Sequence, residues 1–116
     1  MKVIYIAGPY RAGNAWDRET NIRLAESAGL YVASRGGVPL IPHSMTRYFD
    51  GTLTDLFWLE ATLELLKRCD AMFLVGEWEK STGTLGEKRW CEANNIPVFD
   101  SLEGFEAWIE QEKGAR

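Results

Sequence analysis

The chain has 116 residues, of which 46% are hydrophobic, and its formal charge of -4 at pH 7 goes with a sequence pI near 5.0. This length suits one compact domain with one core, so we expect a single domain over residues 1–116. The acidic balance offers no basic surface for a nucleic-acid polymer. A mononucleotide is not excluded, because a helix N-terminus with one or two cations can bind a single phosphate.

Cysteine and histidine content argues against metal or disulfide chemistry. Cys69 and Cys91 show neither CxxC spacing nor a histidine-rich neighbourhood, so buried free thiols are expected. One histidine and two separated cysteines do not make a usual zinc site, and we expect neither a metal nor another cofactor. The apolar run at the start is too short for a signal sequence or a membrane span, which predicts a cytoplasmic protein without membrane contact.

The first half of the chain predicts two strands around a helix. Residues 3–7 are an apolar, β-branched run that stops at Gly-Pro, as in a strand buried on both faces. Apolar residues at helical spacing predict a helix over 17–34, ended by two glycines. A second strand over 38–41 leads into the polar, aromatic segment 43–51, for which we expect a substrate-facing loop.

The second half repeats the alternation of helix and strand. The predicted elements are a helix over 54–68 capped by Thr54, a strand over 71–75, a loop over 76–84, a helix over 85–94, a strand over 96–99 and a helix over 102–112.

This alternation predicts an α/β fold with one open parallel sheet, flavodoxin- or Rossmann-like, and helices on both faces. Ligands of such folds bind outside the carboxyl ends of the strands. Three loops lie there, over residues 8–14, 42–50 and 76–84.

The segment that starts the fourth predicted helix is the most informative one. Ser81, Gly83 and Thr84 lie at a helix start, where backbone N–H groups can hold an anion, and the carboxylate of Glu87 follows closely. An equally good interpretation is that Ser81 or Thr84 caps the helix while Glu87 complements its dipole. Composition alone leaves both open.

The loop over residues 8–14 is a weaker signal. Its glycines permit close backbone approach and Arg11 supplies charge, yet it has neither the GxGxxG pattern of dinucleotide sites nor the GK[ST] ending of nucleoside triphosphatases. The structural alternative is that Gly8 and Pro9 merely turn the chain out of the strand while Arg11 is solvated.

Three segments in their order resemble the nucleoside 2-deoxyribosyltransferase superfamily over nearly the whole chain: the strand over 4–8, the passage over 65–70 and the motif Ser81-x-Gly83-x-x-x-Glu87. The chain looks most similar to short phage and bacterial members, and next to the transferases and the nucleoside 5'-monophosphate N-glycosidases. The resemblance implies a nucleoside 2-deoxyribosyltransferase-like domain over residues 1–116 that acts on a nucleoside or nucleotide. It also implies a homodimer or higher homo-oligomer, with Trp90 and Trp108 as candidate interface anchors.

Residue roles follow from the resemblance. Glu87 matches the glutamate that attacks the anomeric carbon and forms a glycosyl-enzyme, and Tyr5 matches the tyrosine that orients it. Monophosphate hydrolases of the superfamily gather the phosphate with the first loop and the Ser-Gly helix start. The substrate-binding candidates are Gly8, Pro9, Tyr10, Arg11, Ser81, Gly83 and Thr84, with His43 from the second loop. For His43, a loop residue hydrogen-bonded to backbone is an equally good interpretation.

One departure from the superfamily concerns the departing base. Its members usually carry an aspartate on a helix, eight positions before the aspartate that opens the next strand, and that position here is Thr62. Threonine is no general acid near neutral pH. Asp55, seven residues earlier on the same helical face, is the candidate replacement, and Asp50 in the preceding loop is another.

These features leave three hypotheses. The first is an N-glycosidase or deoxyribosyltransferase with weakened or rearranged acid catalysis. The second is a catalytically silent nucleotide-binding protein, a sensor or sequestering protein that uses the same pocket. The third is a structural or interaction module, which has to explain why glycines, hydroxyls and a carboxylate converge at the predicted strand ends.

Overall fold

The computed structural model of the chain describes residues 1–114. The strands are β1 (Val3–Ala7), β2 (Val38–Leu40), β3 (Ala71–Leu74) and β4 (Val98–Phe99), and the helices are α1 (Ala15–Ser34), α2 (Pro42–Thr46), α3 (Asp55–Leu66), α4 (Thr82–Ala93) and α5 (Leu102–Gly114). All strand pairs are parallel, in the order β2-β1-β3-β4. The predicted α/β fold with an open parallel sheet is confirmed.

Alternation along the central strands divides the core into two layers. Ile4 and Ile6 of β1 pack with α1 and α5, whereas Tyr5 and Ala7 face the opposite side with α3 and α4. All four side chains are at most 2% exposed. Helices therefore cover both faces of the sheet, and the pleat directs the Tyr5 side chain towards α4.

Strand order also fixes where a ligand can enter. The chain moves from β1 to β2 on one side, then returns across β1 to form β3 on its other side. The crossovers that follow β1 and β3 thus leave in opposite directions, and their first loops separate at the carboxyl edge. This is the switch point at which open α/β sheets form a crevice.

Several boundaries differ from those predicted. α1 begins at Ala15 rather than at Asp17, because the preceding Asn14 caps the helix: its side chain accepts a hydrogen bond from the Asp17 N–H at 2.8 Å. The expected loop after β2 contains the short helix α2, for which Pro42 supplies a preset first position. Two other departures are α4, which begins three residues early, and β4, which has two residues instead of four.

Both thiols are buried and free, as the sequence predicted. Within residues 1–114, no helix is long and apolar enough to cross a membrane. The same residues include no group of three or more His, Cys, Asp or Glu side chains arranged to hold a metal ion.

Candidate active site

A cleft of about 910 Å³ opens at the carboxyl ends of β1 and β3. Its walls come from the loop after β1, from α2, from α3 and from the start of α4. The three loops that the sequence indicated therefore converge on one site. Every predicted site residue lines this cleft: Tyr5, Gly8, Pro9, Tyr10, Arg11, His43, Asp55, Ser81, Gly83, Thr84 and Glu87.

A tyrosine–glutamate pair forms the floor of the cleft. The Tyr5 hydroxyl donates a hydrogen bond to Oε2 of Glu87 at 2.5 Å, although the two residues are 82 positions apart. Tyr5 is 2% exposed and held by β1, while Glu87 projects from the second turn of α4. Oε2 is thus engaged by Tyr5, and Oε1 is the carboxylate oxygen available to a ligand.

Burial dominates the electrostatics of this pair. Loss of solvent raises the pKa of Glu87 to about 7, and the hydrogen bond from Tyr5 opposes that rise. Burial, followed by the charge of Glu87, raises the pKa of Tyr5 well above its ordinary value. Near neutral pH, Tyr5 is therefore a fixed donor, while Glu87 exchanges between its charged and protonated forms.

Contacts with neighbouring elements hold the first loop, over residues 8–14, in place. A Cβ on Gly8 would lie 2.7 Å from the carbonyl oxygen of Val75, so this glycine is required by the close approach of the chain that follows β3. Asn21 of α1 donates to the Tyr10 carbonyl at 3.3 Å and also lines the cleft. Asn21 was not predicted as a site residue; its only sequence signal is a polar side chain beside the buried Ile22.

His43 organises that loop from below. Its Nε2 lies 3.1 Å from the Gly8 carbonyl and 3.0 Å from that of Pro9, and two acceptors require Nε2 to carry the proton. Burial lowers the pKa of His43, so the ring is neutral. The backbone-bonded interpretation thus describes His43, and direct contact with a ligand stays a prediction. Its buried Nδ1 has no partner within residues 1–114.

An ion pair crosses the mouth of the cleft. Arg11 of the first loop contacts Asp55 at the start of α3 at 2.6 Å, and about two thirds of each side chain is exposed. Arg11 is therefore paired rather than simply solvated, and Asp55 lies at the rim. Asp50, the other candidate carboxylate, lines the cleft and is 4.0 Å from Arg18.

The start of α4 combines a cap with an open backbone. Ser81 Oγ accepts from the Thr84 N–H at 3.2 Å, which makes Ser81 the capping residue and leaves Thr84 buried in the first turn. A Cβ on Gly83 would meet nothing within 4 Å. The N–H groups of Thr82 and Gly83 belong to the first turn, which has no acceptors within the helix, and both residues line the cleft.

Thr62 occupies the cleft wall contributed by α3, beside Tyr5. Its hydroxyl donates to the Trp58 carbonyl at 3.0 Å, one turn earlier in its own helix. Trp58 also lines the cleft and stacks on Phe49 with ring centroids 5.5 Å apart. The buried indole N–H of Trp58 and the Tyr10 hydroxyl have no partner within residues 1–114.

The two tryptophans proposed for a subunit interface lie elsewhere. Trp90 packs partly buried against the layer on the Tyr5 face, and Trp108 packs against the opposite layer beside Phe99. Apolar side chains that are more exposed than these two tryptophans lie on α3, where Leu56 and Leu59 are 64% and 59% exposed. The homo-oligomer stays a prediction.

Fold and site together define a doubly wound α/β protein with a buried carboxylate at a cleft of small-molecule size. Residues 2–100 match the family described as "Domain of unknown function (DUF7768)", and the chain belongs to this family. No curated protein matches the chain in sequence.

A similar solved structure is the 2-deoxyribosyltransferase from the psychrotolerant bacterium Bacillus psychrosaccharolyticus. Its TM-score is 0.60 at 21% identity, over 83% of this chain and 69% of that one. At this identity the likeness shows a shared fold.

Proposed function

We propose that the protein cleaves or transfers the N-glycosidic bond of a nucleoside or nucleotide through covalent attack by Glu87. The Tyr5–Glu87 pair is the observation that carries this proposal, because it buries a carboxylate at the switch point and fixes one of its oxygens. The likeness to a 2-deoxyribosyltransferase supports the same chemistry. The proposal also includes a closer relationship of this chain to the short phage members of the superfamily and to the nucleoside 5'-monophosphate N-glycosidases.

The reaction has two steps. Oε1 of Glu87 attacks the anomeric carbon as the bond to the base nitrogen breaks, and the result is a glycosyl ester. Water, or a second base, then attacks the same carbon and Glu87 leaves as a carboxylate. Tyr5 holds Oε2 throughout, so that the attacking oxygen keeps one direction.

A 5'-monophosphate is the proposed form of the substrate. The N–H groups at the start of α4, the open backbone at Gly83 and the hydroxyl of Ser81 offer donors at the positive end of a helix dipole. Arg11 can add charge from the opposite rim once it releases Asp55. This exchange costs little, since exposed ion pairs contribute about 0–1 kcal/mol.

Base release tests the proposal. We would incubate the wild type, Glu87→Gln and Glu106→Gln with ribo- and deoxyribonucleoside 5'-monophosphates and quantify the free base by chromatography. We expect release to fall at least about 10³-fold in Glu87→Gln, which keeps the shape but loses the nucleophile. Glu106, which also accepts from a tyrosine but lies outside the cleft, is the matched control and should change nothing.

Asp55 as the acid that replaces the superfamily aspartate needs its own variant. Its carboxylate is paired with Arg11 at the exposed mouth of the cleft. We expect Asp55→Asn to alter KM while kcat is retained. A loss of kcat equal to that of Glu87→Gln would instead assign Asp55 to the chemical step.

A silent nucleotide-binding protein is the second candidate, favoured by the Thr62 hydroxyl that is committed to its own helix. In that case a nucleotide raises the melting temperature of the wild type although no base is released. A structural module would show neither effect.

A further inference from the structure

The cleft has few groups that could act as a general acid and protonate a departing base. An uncharged purine or pyrimidine leaves as an anion unless a proton reaches it during bond cleavage, and a positioned general acid usually contributes about 10²–10⁴-fold. The source of that proton therefore decides which N-glycosides the site can cleave.

Three groups near Glu87 already commit their protons. Tyr5 donates to Glu87 itself, and the Thr62 hydroxyl donates to a carbonyl of α3. The proton of His43 lies between two backbone carbonyls, and its lowered pKa leaves no second proton at neutral pH. Tyr10 keeps its hydroxyl proton because burial raises its pKa, which makes it a hydrogen-bond donor and a poor acid.

The other carboxylates that line the cleft are held by cations. Asp50 faces Arg18 at 4.0 Å, Asp55 faces Arg11 at 2.6 Å, and Glu77 faces Lys80 at 3.1 Å. Each of these three carboxylates is therefore paired with a cation. In the part of the chain that the structure describes, the wall of the cleft thus presents no free carboxylic acid beside the nucleophile.

Charge along the cleft points the same way. Four carboxylates line it (Asp50, Asp55, Glu77 and Glu87), and within residues 1–114 only Glu87 makes no ion pair with a cation. A positively charged ring in the cleft would compensate the charge of Glu87, and Tyr10 and Trp58, which line the same cleft, are residues whose rings attract cations. Negative charge on the ligand is favoured at the start of α4, with Arg11 as a second source of positive charge.

We propose that the substrate is a 5'-phosphorylated N-glycoside with a cationic base, of the pyridinium or N-alkylpurine class. The inference rests on the proposed Glu87 mechanism and narrows its substrate. When Oε1 of Glu87 bonds to the anomeric carbon, the carbon–nitrogen bond breaks and both electrons go to the ring nitrogen. The base loses its positive charge and departs neutral, so no proton is transferred. Water then attacks the anomeric carbon, and its extra proton passes to solvent as Glu87 is regenerated.

A cationic substrate also prepares the nucleophile. The free carboxyl is partly protonated near neutral pH because burial raises its pKa to about 7. A positive ring beside it favours the charged form. Substrate binding would therefore ionise Glu87 at the moment when attack is required.

Two matched phosphates test the inference: guanosine 5'-monophosphate and its 7-methyl derivative, the second assayed in its cationic form. Nicotinamide mononucleotide serves as a further cationic probe. We expect the wild type to release base from the cationic probes at least about 10²-fold faster than from guanosine 5'-monophosphate, after subtraction of the Glu87→Gln background.

Equal Glu87-dependent release from the charged and uncharged guanosine phosphates would overturn the inference and leave the proposed function standing. Release from none of these three ribonucleotides would also overturn the inference, whereas the proposed function is decided by the full panel of ribo- and deoxyribonucleoside 5'-monophosphates. A second, independent test introduces a carboxyl group into the cleft wall at position 62. Thr62→Asp should raise release from guanosine 5'-monophosphate and narrow the ratio between the probes, whereas Thr62→Asn, of similar size, should not. An unchanged ratio in a folded Thr62→Asp protein would count against the inference.

Discussion

Two tyrosine–glutamate pairs in this molecule have the same hydrogen bond and different consequences. Tyr5 donates to Glu87 at 2.5 Å beneath the cleft, and Tyr31 donates to Glu106 at 2.5 Å where α1 meets α5. In the second pair Arg35 lies 3.0 Å from Glu106 and covers the Tyr31 ring. No cation makes an ion pair with Glu87 within residues 1–114.

The pKa values of the two glutamates diverge accordingly. Burial raises the pKa of Glu87 to about 7, whereas the hydrogen bond from Tyr31, aided by Arg35, lowers the pKa of the partly exposed Glu106. A tyrosine that donates to a carboxylate favours its charged form in both places. Desolvation without a cation outweighs that bond at Glu87, so the environment of each carboxylate and not its contact with tyrosine makes the two pKa values differ.

Removal of the Tyr5 hydroxyl and of the Tyr31 hydroxyl is expected to show the largest difference between the two pairs. Tyr5→Phe should lower the rate of base release about 10- to 100-fold, because a hydrogen bond to a charged group contributes about 1.5–3 kcal/mol. The pKa that governs kcat/KM should rise above about 7, since the bond that lowers it is lost. Tyr31→Phe should leave both quantities unchanged, as measured by pH–rate profiles. A fall of equal size in both variants would show that folding and not the site was affected.

Stability against pH should separate the two glutamates by sign. The pKa of Glu87 is higher in the folded chain than its ordinary 4.5, so the folded state binds more protons between that value and about 7. The stability that this gives is present below 4.5 and is lost as pH rises through 7. At about 1.4 kcal/mol per pKa unit, Glu87→Gln should be more stable than the wild type at pH 8–9 by up to about 3 kcal/mol.

Chemical denaturation across pH 4–9 measures this difference. Glu106→Gln should behave in the opposite way, because a depressed pKa stabilises the folded state at higher pH and the contribution disappears as pH falls. Parallel curves for wild type and Glu87→Gln would mean that Glu87 is more solvated than its position in the cleft indicates.

Much of the fold could be read from local sequence. Apolar runs predicted β1 and β3 almost to the residue, because strands buried on both faces leave a continuous signal. α2 carries no such signal: five residues are too few for a periodic pattern, and its start depends on Pro42 meeting the turn after β2. β4 shortens to two residues because its pairing with β3 covers only Val98 and Phe99, which local propensity does not encode.

The sequence could predict which loops contribute to the site, because these loops follow strands. It could not predict the contacts between the site residues. The carboxyl ends of parallel strands share one edge, so the loops with Arg11 and Ser81 could be assigned to a single site in advance, whereas Tyr5 was predicted only from the family resemblance. That Arg11 pairs with Asp55, or that His43 bonds to two carbonyls of the first loop, depends on tertiary distances. Gly8 is the clearest case, since its requirement comes from Val75, which is 67 positions away.

Removal of Arg35 from the Tyr31–Glu106 pair is expected to have the smallest effect. It tests whether the cation accounts for part of the difference between the pKa values of the two glutamates. Arg35→Gln should raise the pKa of Glu106 towards its ordinary value while the hydrogen bond from Tyr31 still holds it below. Carbon-detected NMR of the glutamate carboxyl groups during a pH titration follows Glu106 and Glu87 together. We expect Glu106 to move and Glu87 to keep its titration near 7, with unchanged base release. If the Glu87 titration moved as well, the two pairs would be coupled through the sheet, and burial around Glu87 would no longer explain its pKa by itself.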